Sequence, residues 1–123
     1  MKLYIAVMIG GAVGAGLRYG VGAALAPVEP LPTFVINVIG CFGLGWLLNH
    51  EKIKQRWPET VRIGLGTGFF GGLTTFSTYA MQAGLMMSAG LLATASAYLL
   101  ASILFGLLAA WLGMRTARRG GEA

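Results

Sequence analysis

Four long apolar stretches, set apart by short polar punctuation, dominate the chain: Leu3–Leu25, Thr33–Leu48, Thr60–Met87 and Leu91–Met114. A bilayer core of about 30 Å takes roughly 20 residues of helix. The pattern therefore predicts an all-α integral membrane protein, one four-span domain over residues 1–123. Pro27, Glu29, Pro30 and Pro32 predict a tight, rigid turn between the first two spans. His50–Glu59 is the one sizeable polar loop, with Pro58 favouring entry into the next helix, and Ser88–Gly90 predicts a turn before the last span.

The third span is long enough to tolerate an interruption, and it carries G-F-F-G-G-L-T-T-F-S-T-Y from Gly68 to Tyr79. Gly71 and Gly72 weaken the helix in mid-span, and hydroxyls follow at Thr74, Thr75, Ser77 and Thr78. The break is expected over Gly71–Thr75. Non-helical backbone at membrane depth survives only where protein buries it or where it lines a watery path. A broken, hydroxyl-rich span points to binding or passage of a small solute.

Glycines recur in small-xxx-small steps: Gly10 with Gly14, Gly16 with Gly20, Gly64 with Gly68, and Gly68 with Gly72. Helices in lipid gain little from hydrophobic association, so close backbone approach supplies their contact. These steps predict tight helix packing. Four spans make a thin bundle that shields little polar interior, so at least a dimer is expected.

Composition sharpens the class. Of 123 residues, 56% are hydrophobic and 11% charged, against about 25% charged in soluble domains. The net charge of +5 does not indicate nucleic acid. Lys2, Lys52, Lys54, Arg56, Arg62, Arg115, Arg118 and Arg119 lie at or beyond the predicted span ends, where basic residues orient a protein and touch anionic lipid. Cys41 has no second cysteine to pair with, and one histidine, His50, makes no metal-site spacing. Lys2 followed by an apolar run to Ala26 resembles a signal peptide, but Arg18 interrupts the run and Pro27 follows the cleavage position, so a retained span is expected.

Catalysis and proton coupling lack their usual groups. Glu29, Glu51, Glu59 and Glu122 fall in loops or the tail, leaving no carboxylate within a predicted span. The polar groups within the spans are mostly uncharged hydrogen-bond donors: Asn37, the span 3 hydroxyls, Gln82, Thr94, Ser96, Tyr98 and Ser102. Tyr98 and Ser102, four apart, share a helix face. Thr94 and Ser96 are read as bonding their own helix carbonyls. Asn37 and the span 3 cluster are read as functional, since such groups are costly in lipid without partners. Phe76 and Tyr79, three apart, are neighbours whose electropositive ring edges could meet an anion. Arg18, inside span 1, is the one intramembrane charge and a plausible anion attractor.

The segments Gly10–Tyr19 (G-G-A-V-G-A-G-L-R-Y), Phe34–Phe42 (F-V-I-N-V-I-G-C-F) and Gly68–Tyr79 together resemble the Fluc (CrcB-type) fluoride channels over nearly the full chain. The resemblance implies an antiparallel, dual-topology dimer in the plasma membrane, with two fluoride pores, each built by both subunits. It assigns the pore asparagine to Asn37, the pore aromatics to Phe76 and Tyr79, hydroxyls to Ser77 and Thr78, and a polar track to Tyr98 and Ser102. The family's span 1 arginine falls on Arg18, at the vestibule. Tyr79 departs from the common phenylalanine, and Gln82 stands where many members carry an acid. The resemblance also implies one structural sodium ion on the dimer axis, held by the backbone carbonyls of Gly71 and Thr74.

The implied task is passive fluoride efflux, driven by an inside-negative potential worth about 2.3 kcal/mol per charge per 100 mV. Two other readings are a small dual-topology multidrug exporter, which would need a span 1 glutamate that is missing here, and a non-conducting scaffold subunit. The basic residues leave the pairing open. Eight lie on the side of the termini and central loop, with Arg18 alone towards the other. That bias favours a fixed orientation with the termini inside, as in one half of a heterodimer with a paralogue. The complete motif set favours an antiparallel homodimer.

Overall fold

Helix α1, Lys2–Ala24, opens the fold and ends at Leu25, whose N–H closes onto Val21. The computed structural model describes residues 1–121, so Glu122 lies outside the described residues. A single 3₁₀ turn, Ala26–Val28, follows, and α2 then runs Leu31–Asn49. Pro30 caps α2 and Pro32 lies in its first turn, where a missing N–H costs nothing. The proline cluster is thus part helix start, and α2 begins two residues before the expected Thr33. The polar loop contains a short helix α3, Glu51–Arg56, capped by His50 Nδ1, which accepts from the Ile53 N–H at 3.4 Å.

Past Pro58 the chain forms α4, Glu59–Ile63, a π-helical segment Gly64–Phe70, and α5, Gly71–Leu73, one continuous rod of three segments. The rod ends at Thr74, whose ψ of 154° is extended, and helix resumes as α6, Ser77–Ser88. A Schellman turn closes α6: Gly90 sits at φ 79°, Leu91 N–H bonds Met86 at 2.9 Å and Gly90 N–H bonds Met87 at 3.0 Å. The final helix, α7, runs Leu92–Gly121.

The break therefore lies at Thr74–Phe76, and Gly71 and Gly72 are helical. The reason is packing. A Cβ at Gly72 would overlap the Gly11 carbonyl, so this glycine admits a close approach of α1. The same contact continues along the rod: a Cβ at Gly10 would overlap the Gly64 carbonyl, and one at Gly14 the Phe69 carbonyl. Backbone against backbone is the close helix contact that small residues permit in lipid. Gly16 and Gly20 behave differently. A Cβ at either would meet nothing within 4 Å, so the chain's own packing does not use that step.

Helix α2 packs chiefly on α7, and α1 on the rod. At the first of these contacts Gly45 faces the Ala110 backbone and Gly113 the Phe42 carbonyl. Three helices among the described residues are long and apolar enough to cross a membrane: α1, α2 and α7. Among the described residues no large side chain is fully buried, while Met8, Ile9, Leu104, Leu107 and many others stand exposed. So many large apolar side chains on the outside, with glycines and alanines at the closest helix contacts, suits a lipid solvent.

Candidate functional site

The broken backbone is where the polar side chains converge. Helix α5 stops with Thr74 N–H and Thr74 Oγ1 both donating to the Phe70 carbonyl, at 3.0 and 2.8 Å. Beyond that the chain's own backbone supplies no ladder, and side chains from other helices take over. Asn37, midway along α2, meets the Thr75 peptide with both ends of its amide: Nδ2 donates to the Thr75 carbonyl at 2.9 Å, and Oδ1 accepts the Thr75 N–H at 2.8 Å. Arg18 reaches from α1 and donates through Nη1 to the Thr74 carbonyl at 3.1 Å. Buried backbone groups must find partners, and here two helices provide them.

Thr75 is the hub. Its Oγ1 accepts the Thr78 N–H at 3.2 Å, donates to Thr78 Oγ1 at 3.2 Å and lies 3.3 Å from Ser77 Oγ. This hydroxyl starts α6 in the manner of an N-cap, one residue early. Sequence reasoning counted Thr75 among the hydroxyls but gave it no role. Its place directly after Thr74 in the broken motif was the available signal.

Thr75 lines two cavities at the break. One, of 370 Å³, is lined by Asn37, Cys41, Thr75, Phe76, Tyr79 and Ser102 among others. Ser102 Oγ is buried and has no hydrogen-bond partner among the described residues. The other, of 500 Å³, holds Arg18, Glu29, Thr33, Thr75 and Thr78. Glu29 joins this site from the turn after α1; nothing in its sequence setting marked it.

The expected track residues divide. Asn37, Phe76, Tyr79 and Ser102 share the first cavity, whereas Thr78 faces the second. Ser77 is exposed beside Thr75. Tyr98 lies one turn from Ser102 but points elsewhere: its hydroxyl donates to Gln82 Oε1 at 2.9 Å, both residues being buried. The two aromatics also differ. The Tyr79 ring is buried against Tyr98, and its hydroxyl donates to the Leu99 carbonyl at 3.0 Å. Phe76 keeps 78% of its surface exposed, with its ring centroid 5.8 Å from that of Tyr79. Phe76 thus lines a largely apolar cavity into which Asn37, Thr75 and Ser102 bring a few polar groups.

Residues suited to a cation are carbonyls. The helical donor for the Gly71 carbonyl would be the Thr75 N–H, which Asn37 has taken. The Thr74 carbonyl accepts from Arg18 and keeps its second lone pair. Three residues apart on one rod, the two oxygens fit the oxygen-only preference of a small hard cation.

Comparison with known proteins matches residues 5–114 to the model of a family described as CrcB-like protein, Camphor Resistance (CrcB). A fluoride-specific ion channel FluC of Oceanobacillus iheyensis is 40% identical over 119 residues, 95% of this chain and 92% of its own. The FluC of Chloroflexus aurantiacus is 38% identical over 122 residues, covering 96% and 97%. A fluoride-specific ion channel FluC 2 of Symbiobacterium thermophilum is 40% identical over 117 residues, covering 92% and 95%.

Proposed function

The chain belongs to the CrcB-like family, and from that premise we propose that it is a multi-pass membrane channel passing fluoride out of the cell down its electrochemical gradient. Membership sets the multidrug-exporter reading aside, and the family is one of ion channels and not of enzymes. The observation that carries the proposal is the cavity beside the break. Among its described lining residues are an amide, hydroxyls and ring edges, with no carboxylate, and Ser102 Oγ waits there unpartnered. Fluoride is small and strongly hydrated, so a filter must replace its water with donors at close range. Asn37 and Ser102 in this cavity are donors of that kind, and the Ser77 and Thr78 hydroxyls gather around Thr75 outside it. Arg18 sits in the second cavity as an attractor for an arriving anion.

The broken rod and α6 together form the third of four spans of a single transmembrane domain. Phe76, exposed in the single chain, meets the donor wall of a second copy, so each pore takes residues from both subunits. An antiparallel pair would carry two such pores by symmetry. Tyr98 acts indirectly, its hydroxyl holding Gln82 and its ring backing Tyr79. The carbonyls of Gly71 and Thr74 are the groups that would hold a structural sodium ion, which would supply a fixed positive charge beside the break. The bias of basic residues favours a paralogous partner inserted the other way in the cell, while the chain alone is expected to pair with itself.

The test is fluoride efflux from liposomes containing the purified protein alone, with potassium as counter-ion and valinomycin to clamp the potential. Fast fluoride efflux with little chloride efflux is expected. Comparable chloride efflux, or none of either ion, would overturn the reading.

A further inference from the structure

The last turns of α7 form a cavity of 280 Å³ between Trp111, Met114, Arg115, Arg118 and Arg119. The Arg115 guanidinium lies over the Trp111 ring, 5.0 Å from its centroid. Such stacking holds an arginine in one orientation while leaving its edge donors free. Residues 104, 108, 111, 115 and 118 follow spacings of four and three, so they share one face of the helix. That face is exposed throughout: Leu104 at 65% and Leu108 at 50% lead to Trp111 and then to the arginines. The opposite face, with Ala109, Gly113 and Ala117, is buried.

Length sets the depth. From Leu92, about 20 residues of helix cross a hydrocarbon core of about 30 Å. That count reaches Trp111, a residue type that settles at the membrane interface. The arginines then stand at headgroup height, directly above an apolar strip about 10 Å long that takes the upper part of an acyl chain. A phosphate between guanidiniums with hydrocarbon below it is the form of a phospholipid.

We propose that this end of α7 is a binding site for an anionic phospholipid, its phosphate taken by Arg115, Arg118 and Arg119 and its chain laid along Leu108 and Leu104. The proposal stands apart from fluoride conduction and needs that α7 crosses the bilayer with this face turned to lipid.

The test uses Trp111 as reporter in the full chain, with Trp46→Phe and Trp57→Phe removing the other tryptophans. The protein is placed in phosphatidylcholine vesicles containing brominated phosphatidylglycerol or, separately, the same fraction of brominated phosphatidylcholine. Bromine quenches only a nearby indole. Enrichment of the anionic lipid at Trp111 is expected at low salt, about fivefold for each arginine engaged. The triple change Arg115→Gln, Arg118→Gln, Arg119→Gln should bring the two lipids level, and the triple change to Lys should restore part of the difference. Equal quenching by both lipids in the parent overturns the site. So does a preference that survives the Gln changes, which would belong to the basic loop, or a Lys variant as inactive as the Gln one. Displacement of the brominated lipid by millimolar inorganic phosphate would also overturn it, in favour of a soluble anion.

Discussion

Asn37 and Thr75, 38 residues apart, are joined by two hydrogen bonds in which one side-chain amide replaces the helical partners of one peptide. The pair makes a helix break tolerable at membrane depth and fixes where the hydroxyls of Thr75 and Thr78 point. The same asparagine faces the cavity, so structural and conducting roles meet in a single side chain.

Asn37→Asp should therefore harm both. The carboxylate cannot donate to the Thr75 carbonyl, and it puts negative charge beside an anion path. Leaving a buried carbonyl without its donor costs about 1–3 kcal/mol, so the melting temperature in detergent should fall while fluoride efflux from liposomes is lost. Undiminished efflux would remove Asn37 from the pore.

Ser102→Ala should dissociate the two effects. Its hydroxyl is buried without a protein partner, so replacing it should leave stability unchanged or raised. Efflux should drop about tenfold if that hydroxyl strips water from the ion, the loss equivalent to one modest hydrogen bond. Destabilisation with normal efflux would show the cavity to be mere packing.

Phe76 should matter more than Tyr79. Phe76→Ile keeps bulk and removes the ring edge, and efflux should collapse. Tyr79→Phe gives up the bond to the Leu99 carbonyl, a cost of about 0.5–1.5 kcal/mol, with efflux retained. Paired melting and efflux measurements on both variants check the order; its inversion would refute the assignment.

Two glycines on α1 should respond oppositely to alanine. Gly14→Ala puts a methyl group into the Phe69 carbonyl and should destabilise by about 1–3 kcal/mol. Gly16→Ala meets nothing within the subunit and should melt as the parent does. A dimer weakened by Gly16→Ala alone, seen in crosslinking, would place that step at the subunit interface.

Replacing sodium by a bulky organic cation should slow efflux and weaken the dimer, if the Gly71 and Thr74 carbonyls hold the ion. Efflux and crosslinking yields that do not depend on sodium would remove it from the structure.

The composition and run lengths alone established a helical membrane protein, because continuous apolar runs of about 20 residues match the span of a helix, which satisfies its own backbone in lipid. The motif around Gly68–Tyr79 also announced an interruption, since glycines and hydroxyls do not accumulate in a plain span. Where the interruption falls was not legible there. A missing Cβ equally permits a helix to break and a neighbour to come close, and only the presence of Gly11 against Gly72 decided for contact. Likewise Asn37 and Arg18 were visible as costly polar residues, but their partners lie 38 and 56 residues away. Which carbonyls they would reach depends on how α1 and α2 pack around the broken rod. Local preference determines what a segment can do, and the tertiary structure chooses, because the unpaired groups at Thr74 and Thr75 can be satisfied only by helices brought from elsewhere in the chain.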